Sequence, residues 1–96
     1  MMIFIISKEL KIKKEMKANF LEKINAWIIA TKKQELNLSI DGMWKDQNHF
    51  LIIERWSTEE SYEKYISSEL HKNLWREIKP SLLSNPYLNK FKTISW

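Results

Sequence analysis

The sequence predicts an α+β domain: a four-stranded antiparallel sheet with its helices gathered on one face. Three features predict it. The chain opens on a β-branched apolar segment, amphipathic helical spacing appears on either side of a central β-hairpin, and a short strand pattern closes the chain.

Residues 2–12, MIFIISKELKI, read as the first strand. Phe4 and Ile6 share one face, and Ile3 and Ile5 share the other, so both faces start apolar. Lys8, Glu9 and Lys11 then predict that the strand leaves the core towards its end. Residues 15–33 read as a helix. Met16, Phe20, Ile24, Trp27 and Ile28 recur at helical spacing, with Leu21 at the edge of the stripe. Lys17, Glu22, Lys23 and Asn25 take the other side. Lys32 and Lys33 suit the negative end of the helix dipole.

Residues 36–45 alternate through Leu36, Leu38 and Ile40. Gly42 interrupts this pattern and reads as a bulge. Residues 45–48 form a turn, and residues 49–56, HFLIIERW, return as the partner strand. Ser57-Thr58-Glu59-Glu60 has the spacing of a capping box, with Ser57 as the cap. The helix it opens turns Tyr62, Tyr65 and Ile66 inward. Ser67-Ser68 offers a break and a second cap, and a further helix runs over 69–79, stopped by Pro80. Residues 80–86 connect to a last strand over 88–95.

The order β-α-β-β-α-α-β is the split βαβ pattern of ferredoxin-like folds, with its second helix broken. Helices on one side leave the other sheet face bare. A second copy packed sheet to sheet would cover it, so a homodimer through the sheet face is expected.

The 96 residues suit one domain spanning 1–96. A chain this short buries only roughly 60–70% of its unfolded surface, which also favours association. There are no cysteines, which removes disulfides, thiol catalysis and Cys-based metal sites. The single glycine, Gly42, removes glycine-rich phosphate loops and dinucleotide fingerprints. The two histidines, His49 and His71, show no metal-ligand spacing. No GxSxG occurs. The net charge is +4, and the excess of lysine lies in residues 1–33. These lysines fall at a strand end and on a polar helix side, so a solvated face is expected rather than a nucleic-acid surface. No apolar run approaches the ~18 residues of a membrane span. Residues 1–6 lack the flanks of a signal peptide. A soluble cytoplasmic protein is therefore expected.

What remains is aromatic: 5 Trp, 4 Phe and 3 Tyr in so small a body. On the helix over 69–79, His71, Leu74, Trp75 and Ile78 share one face. A pocket between helices and sheet would be lined by Trp27, Tyr65 and Trp75, with Trp44 at its rim or at the dimer interface. His71 is the candidate base or hydrogen-bond partner, with Tyr65 as another polar handle. Plain core packing is the competing account of the same residues. Trp56 and Trp96 read as scaffold.

The stretch FLIIERWSTEESYEKYISSELHKNL resembles the antibiotic biosynthesis monooxygenase family. The likeness lies in the E-x-W tripeptide Glu54-Arg55-Trp56, the cap at Ser57, and the Ser67-Ser68-Glu69-Leu70-His71 break between helices. The chain departs from the family pattern at Lys13-Lys14, at Glu35-Leu36-Asn37, and in lacking a proline at the helix break. The resemblance implies a dimeric α+β barrel. It also implies cofactor-independent oxidation of a small quinol or anthrone-like aromatic, in which the substrate carbanion itself reduces oxygen. No cofactor is then needed. A haem-degrading branch shares the fold, but its Asn, Trp and His fall at Ser7, Tyr65 and Trp75 here. A third group has no catalysis, which leaves a dimeric module that binds an aromatic ligand as the alternative reading.

Overall fold

The computed structural model describes residues 2–94. Strand β1 (Phe4–Lys11) leads through a 3-10 turn (Lys14–Met16) into helix α1 (Lys17–Lys32). Strands β2 (Asn37–Trp44) and β3 (His49–Trp56) form the hairpin. Helices α2 (Glu59–Ile66) and α3 (Glu69–Ile78) follow, then a 3-10 turn (Lys79–Ser81) and strand β4 (Tyr87–Lys92). The sheet is antiparallel in the order β2-β3-β1-β4, as a split βαβ fold requires. Trp96 lies outside the described residues.

Period-two alternation decides which side of β1 faces the helices. Phe4, Ile6, Lys8 and Leu10 are buried, whereas Ile5, Ser7 and Glu9 are half-buried on the outer face. Phe20, Ile24, Trp27 and Thr31 form the buried stripe of α1. Two apolar clusters result. One gathers Leu10, Phe20, Ile24, Trp27, Phe50 and Ile78. The other gathers Phe4, Ile6, Trp56, Tyr62 and Tyr65.

Four sequence expectations are corrected. First, β1 does not leave the core at Lys8, whose side chain is enclosed beside Glu54. Second, Gly42 carries no bulge. It stays in register opposite Ile52, and the register shift falls between Asn37 and Ser39. That shift removes Leu38 from the inward set, so Leu36 and Leu38 are exposed and Ile40 is buried. Gly42 is needed for close approach instead: a Cβ there would lie 2.7 Å from Cζ of Phe50.

Third, the cap of α2 is Thr58, not Ser57. Thr58 Oγ1 accepts from the amide of Ser61 at 3.1 Å. Ser57 still belongs to the hairpin, since its amide donates to the carbonyl of Leu36. Fourth, the last strand begins at Tyr87 and ends at Lys92. The second cap is as expected: Ser68 Oγ accepts from the amide of His71 at 3.2 Å, which fixes the entry angle of α3.

Candidate functional site

Lys8 and Glu54 form a polar seam between the two apolar clusters, against Trp56 of the second. In the β1–β3 ladder Ile6 faces Glu54 and Lys8 faces Ile52. Lys8 and Glu54 are therefore diagonal neighbours on the helix side of the sheet. Lys8 Nζ lies 2.8 Å from Glu54 Oε2. Lys8 is 4% exposed and Glu54 is fully buried. Trp56, two residues beyond Glu54 and so on the same face, donates its indole N–H to Glu54 Oε1 at 3.1 Å. The tripeptide Glu54-Arg55-Trp56 thus has a physical role: the indole holds the carboxylate, and the carboxylate holds the ammonium. Lys8 Nζ also sits 4.9 Å from the ring centroid of Trp27 and 5.1 Å from that of Tyr62.

A cleft of about 510 Å³ opens against this ammonium. That volume falls within the ~300–1,000 Å³ typical of small-molecule sites. Tyr62, Ile66, Trp75, Pro86 and Leu88 form its apolar wall. Lys8 and His71 supply inner polar groups, and Lys72, Arg76 and Lys79 line it from α3 and the turn after it.

His71 is 8% exposed and packed among rings. Trp75 stacks nearly parallel to it, at 11° and a centroid separation of 6.2 Å. Tyr65 meets it edge-on at 5.0 Å. Its Nε2 is enclosed without a hydrogen-bond partner among the described residues. Burial, with the neighbouring charge of Lys8 as a second cause, pushes the imidazole pKa down to about 4. At neutral pH His71 is therefore uncharged, a hydrogen-bonding group and a weak base.

The two tyrosines differ in what their hydroxyls can do. Thr31 Oγ1 donates to the carbonyl of Trp27 at 2.7 Å. Its single proton is thereby committed, so Tyr65 must be the donor in the 2.9 Å contact with Thr31. The Tyr65 hydroxyl is thus tied to α1 and is no handle for the cleft. Tyr62 lines the cleft. Burial, then the charges of Glu54 and Glu63, push its phenol well above the usual tyrosine range, so it stays protonated.

Of the five residues singled out from sequence, His71 and Trp75 line this cleft. Trp27 is fully buried behind His71, 6.1 Å away between ring centroids. Tyr65 backs His71 and borders a separate, shallower depression with Trp56 and Leu70. Trp44 lies elsewhere, packed edge-on against Phe20 and Phe50 with Lys17 over its ring. Those contacts put Trp44 on the helix side of the sheet and away from the bare face. Lys8 escaped sequence reading because charged residues late in a strand usually mark its exit from the core, and Glu54 stood out only as part of the tripeptide Glu54-Arg55-Trp56. The available signal was the alternation itself, which puts Lys8 in phase with Phe4, Ile6 and Leu10.

Among the described residues no group of three or more His, Asp or Glu side chains comes together as a metal site. No helix there is long and apolar enough to cross a membrane.

The family described as antibiotic biosynthesis monooxygenase matches residues 3–76. The chain belongs to that family. Its fold agrees with solved structures at low identity. A conserved protein from Methanosarcina mazei is 18% identical with a TM-score of 0.89, covering 95% of this chain and 92% of that one. A protein described as an antibiotic biosynthesis monooxygenase is 19% identical with a TM-score of 0.87, covering 96% and 99%. A Mycobacterium tuberculosis protein is 12% identical with a TM-score of 0.85, covering 100% and 98%. No curated protein matches the sequence significantly. At these identities the likeness speaks for the fold alone.

Proposed function

We propose that this chain is a cofactor-independent monooxygenase that oxidises a small hydroxylated aromatic, quinol-like or anthrone-like, in the cleft beside Lys8 and His71. The observation that carries this reading is the enclosed ammonium of Lys8 at the wall of an aromatic-lined cavity. Ionising a phenol or an activated C–H leaves a negative charge on the substrate. A positioned cation in a poorly solvated site stabilises that charge far more than water does. Trp75 and Tyr62 offer flat apolar surface to the ring. The ionised substrate supplies the electrons. One oxygen atom enters the product, and the other leaves as water with two hydrogens of the substrate.

The low basicity of His71 sets its role. It orients the substrate hydroxyl or relays its proton, while the Lys8 ammonium, held by Glu54, offers a fixed N–H donor to the charge that develops on the substrate. Trp27 and Tyr65 act as the wall that positions His71.

Dimerisation is part of the same proposal. The outer sheet face carries Ile5, Leu51, Ile53 and Met43, and also Tyr87 and Phe91, which are 64% and 52% exposed. Packing two such faces would bury them. The cysteine-free sequence is compatible with a cytoplasmic setting.

The test is oxygen consumption with anthrone and a naphthoquinol, measured above spontaneous autoxidation. Uptake is expected, falling more than about tenfold in His71→Ala and in the charge-free Lys8→Met/Glu54→Gln double variant with far-UV circular dichroism unchanged. An undiminished rate in His71→Ala would remove that residue from the mechanism. Tight ligand binding with no oxygen uptake would favour the non-catalytic module instead.

A further inference from the structure

We infer that the ligand of this cleft is an aromatic carboxylate, whose anionic group is held by Lys72, Arg76 and Lys79 at the exposed side of the cavity. The inference rests on the reading of the cleft as a substrate site and names the class of molecule that fits it.

The charge census of the wall is one-sided. Four of its residues are cationic, and none is Asp or Glu. Glu54 lies behind Lys8 and is already engaged by it. Lys72, Arg76 and Lys79 have no carboxylate partner among the described residues; Arg76 donates only to the side-chain oxygen of Asn73. Other lysines, Lys23, Lys32 and Lys64 among them, are also without an ion pair among the described residues, so what distinguishes Lys72, Arg76 and Lys79 is that they share the wall of one cleft. Other surface cations do have carboxylate partners. Lys45 meets Glu9, Arg55 approaches Asp41, and Lys90 and Lys92 meet glutamates of α2.

Spacing puts the three cations together. Lys72, Arg76 and Lys79 stand at i, i+4 and i+7, one stripe running along α3 into the turn after it. Trp75 lies beside that stripe and lines the same cleft. Helix electrostatics explains Arg76 and Lys79, which complement the negative end of α3. It does not explain Lys72, which stands in the first half of the helix, where the dipole disfavours a cation. An anion in the cleft accounts for all three. Arg76 offers the planar fork that pairs with a carboxylate through two hydrogen bonds. The apolar wall of Trp75, Ile66 and Leu88 takes the ring.

The experiment is equilibrium dialysis of the full chain with three probes that share one ring system: a hydroxynaphthoate, the corresponding hydroxynaphthamide, and naphthol. The naphthoate is expected to bind at least about tenfold more tightly than the amide, with the advantage shrinking as salt is raised. In Lys72→Gln/Arg76→Gln/Lys79→Gln the ratio of naphthoate to amide affinity is expected to collapse towards one. Equal binding of naphthoate and amide by the natural chain would overturn the carboxylate inference while leaving the cleft as an aromatic site. Binding of none of the probes would overturn both. A preference that survives the triple substitution would overturn the assignment to these three residues.

Discussion

The ammonium of Lys8 lies 2.8 Å from the carboxylate of Glu54, and both side chains are almost wholly removed from water. Each charge is tolerable there only because the other is present. Glu54 is further held by the indole of Trp56, and Lys8 faces the rings of Trp27 and Tyr62. The pair therefore joins the β1–β3 ladder to the cleft.

Removing one partner strands the other. Lys8→Met or Glu54→Gln alone is expected to cost about 3–5 kcal/mol. The double variant Lys8→Met/Glu54→Gln should cost clearly less than the sum of the two, because no charge is left uncompensated. Urea unfolding of the four proteins in a double-mutant cycle measures this. Additive costs would show that the two groups do not depend on each other.

The imidazole of His71 is expected to titrate near pH 4 rather than near 6.5. The sign follows from which state binds more protons. Between these two values the unfolded chain holds a proton at this position and the folded chain does not. Stability from this group is therefore fully present above about pH 6.5 and lost as pH falls towards 4, by on the order of 3 kcal/mol. The imidazole resonances followed by NMR against pH give the folded value. A His71→Gln variant should lose stability less steeply on acidification than the natural chain. A midpoint at or above 6.5 would contradict the enclosed, uncharged state.

Gly42→Ala should be poorly tolerated although no special backbone angle is involved. The added methyl would stand 2.7 Å from Phe50 and 2.9 Å from Cδ1 of Ile28. Relieving this means moving a ring of the core, at a cost of about 1–3 kcal/mol. Thermal unfolding gives the magnitude. A companion Phe50→Leu change should recover part of the loss, since the clash is with the ring. No recovery would place the strain in the backbone.

Tyr65→Phe removes a hydrogen bond without opening a cavity. The loss is expected to be about 1 kcal/mol, because Thr31 keeps its bond to the carbonyl of Trp27. Thr31→Val should cost more, since it leaves the buried Tyr65 hydroxyl without an acceptor. Urea unfolding of the two variants orders them. The reverse order would mean that Thr31 gives its proton to Tyr65 rather than to the carbonyl of Trp27.

The element order and the inward face of each helix were readable from the sequence. Periods of two and 3.6 are local properties, carried by Phe4 and Ile6 or by Phe20, Ile24 and Trp27 without reference to the rest of the chain. The break at Ser68 was readable for the same reason, and it places His71 and Trp75 together on the cleft. Misreadings came where two segments had to meet. Ser57 looked like the cap, but its amide is held by Leu36 across the hairpin, so the cap moved to Thr58. Leu38 looked inward, but a register shift against β3 turned it out.

The site shows the same division most clearly. Local pattern supplied a histidine on an aromatic helix face. Only the tertiary structure decided that Lys8 stays inside, because the carboxylate that makes this affordable lies far along the chain and reaches it through strand pairing. Only the tertiary structure, again, set Trp44 apart from His71 and brought Lys72, Arg76 and Lys79 to the same cleft as Lys8. Spacing along one element fixes which way a side chain points, and contact between elements fixes what it meets there.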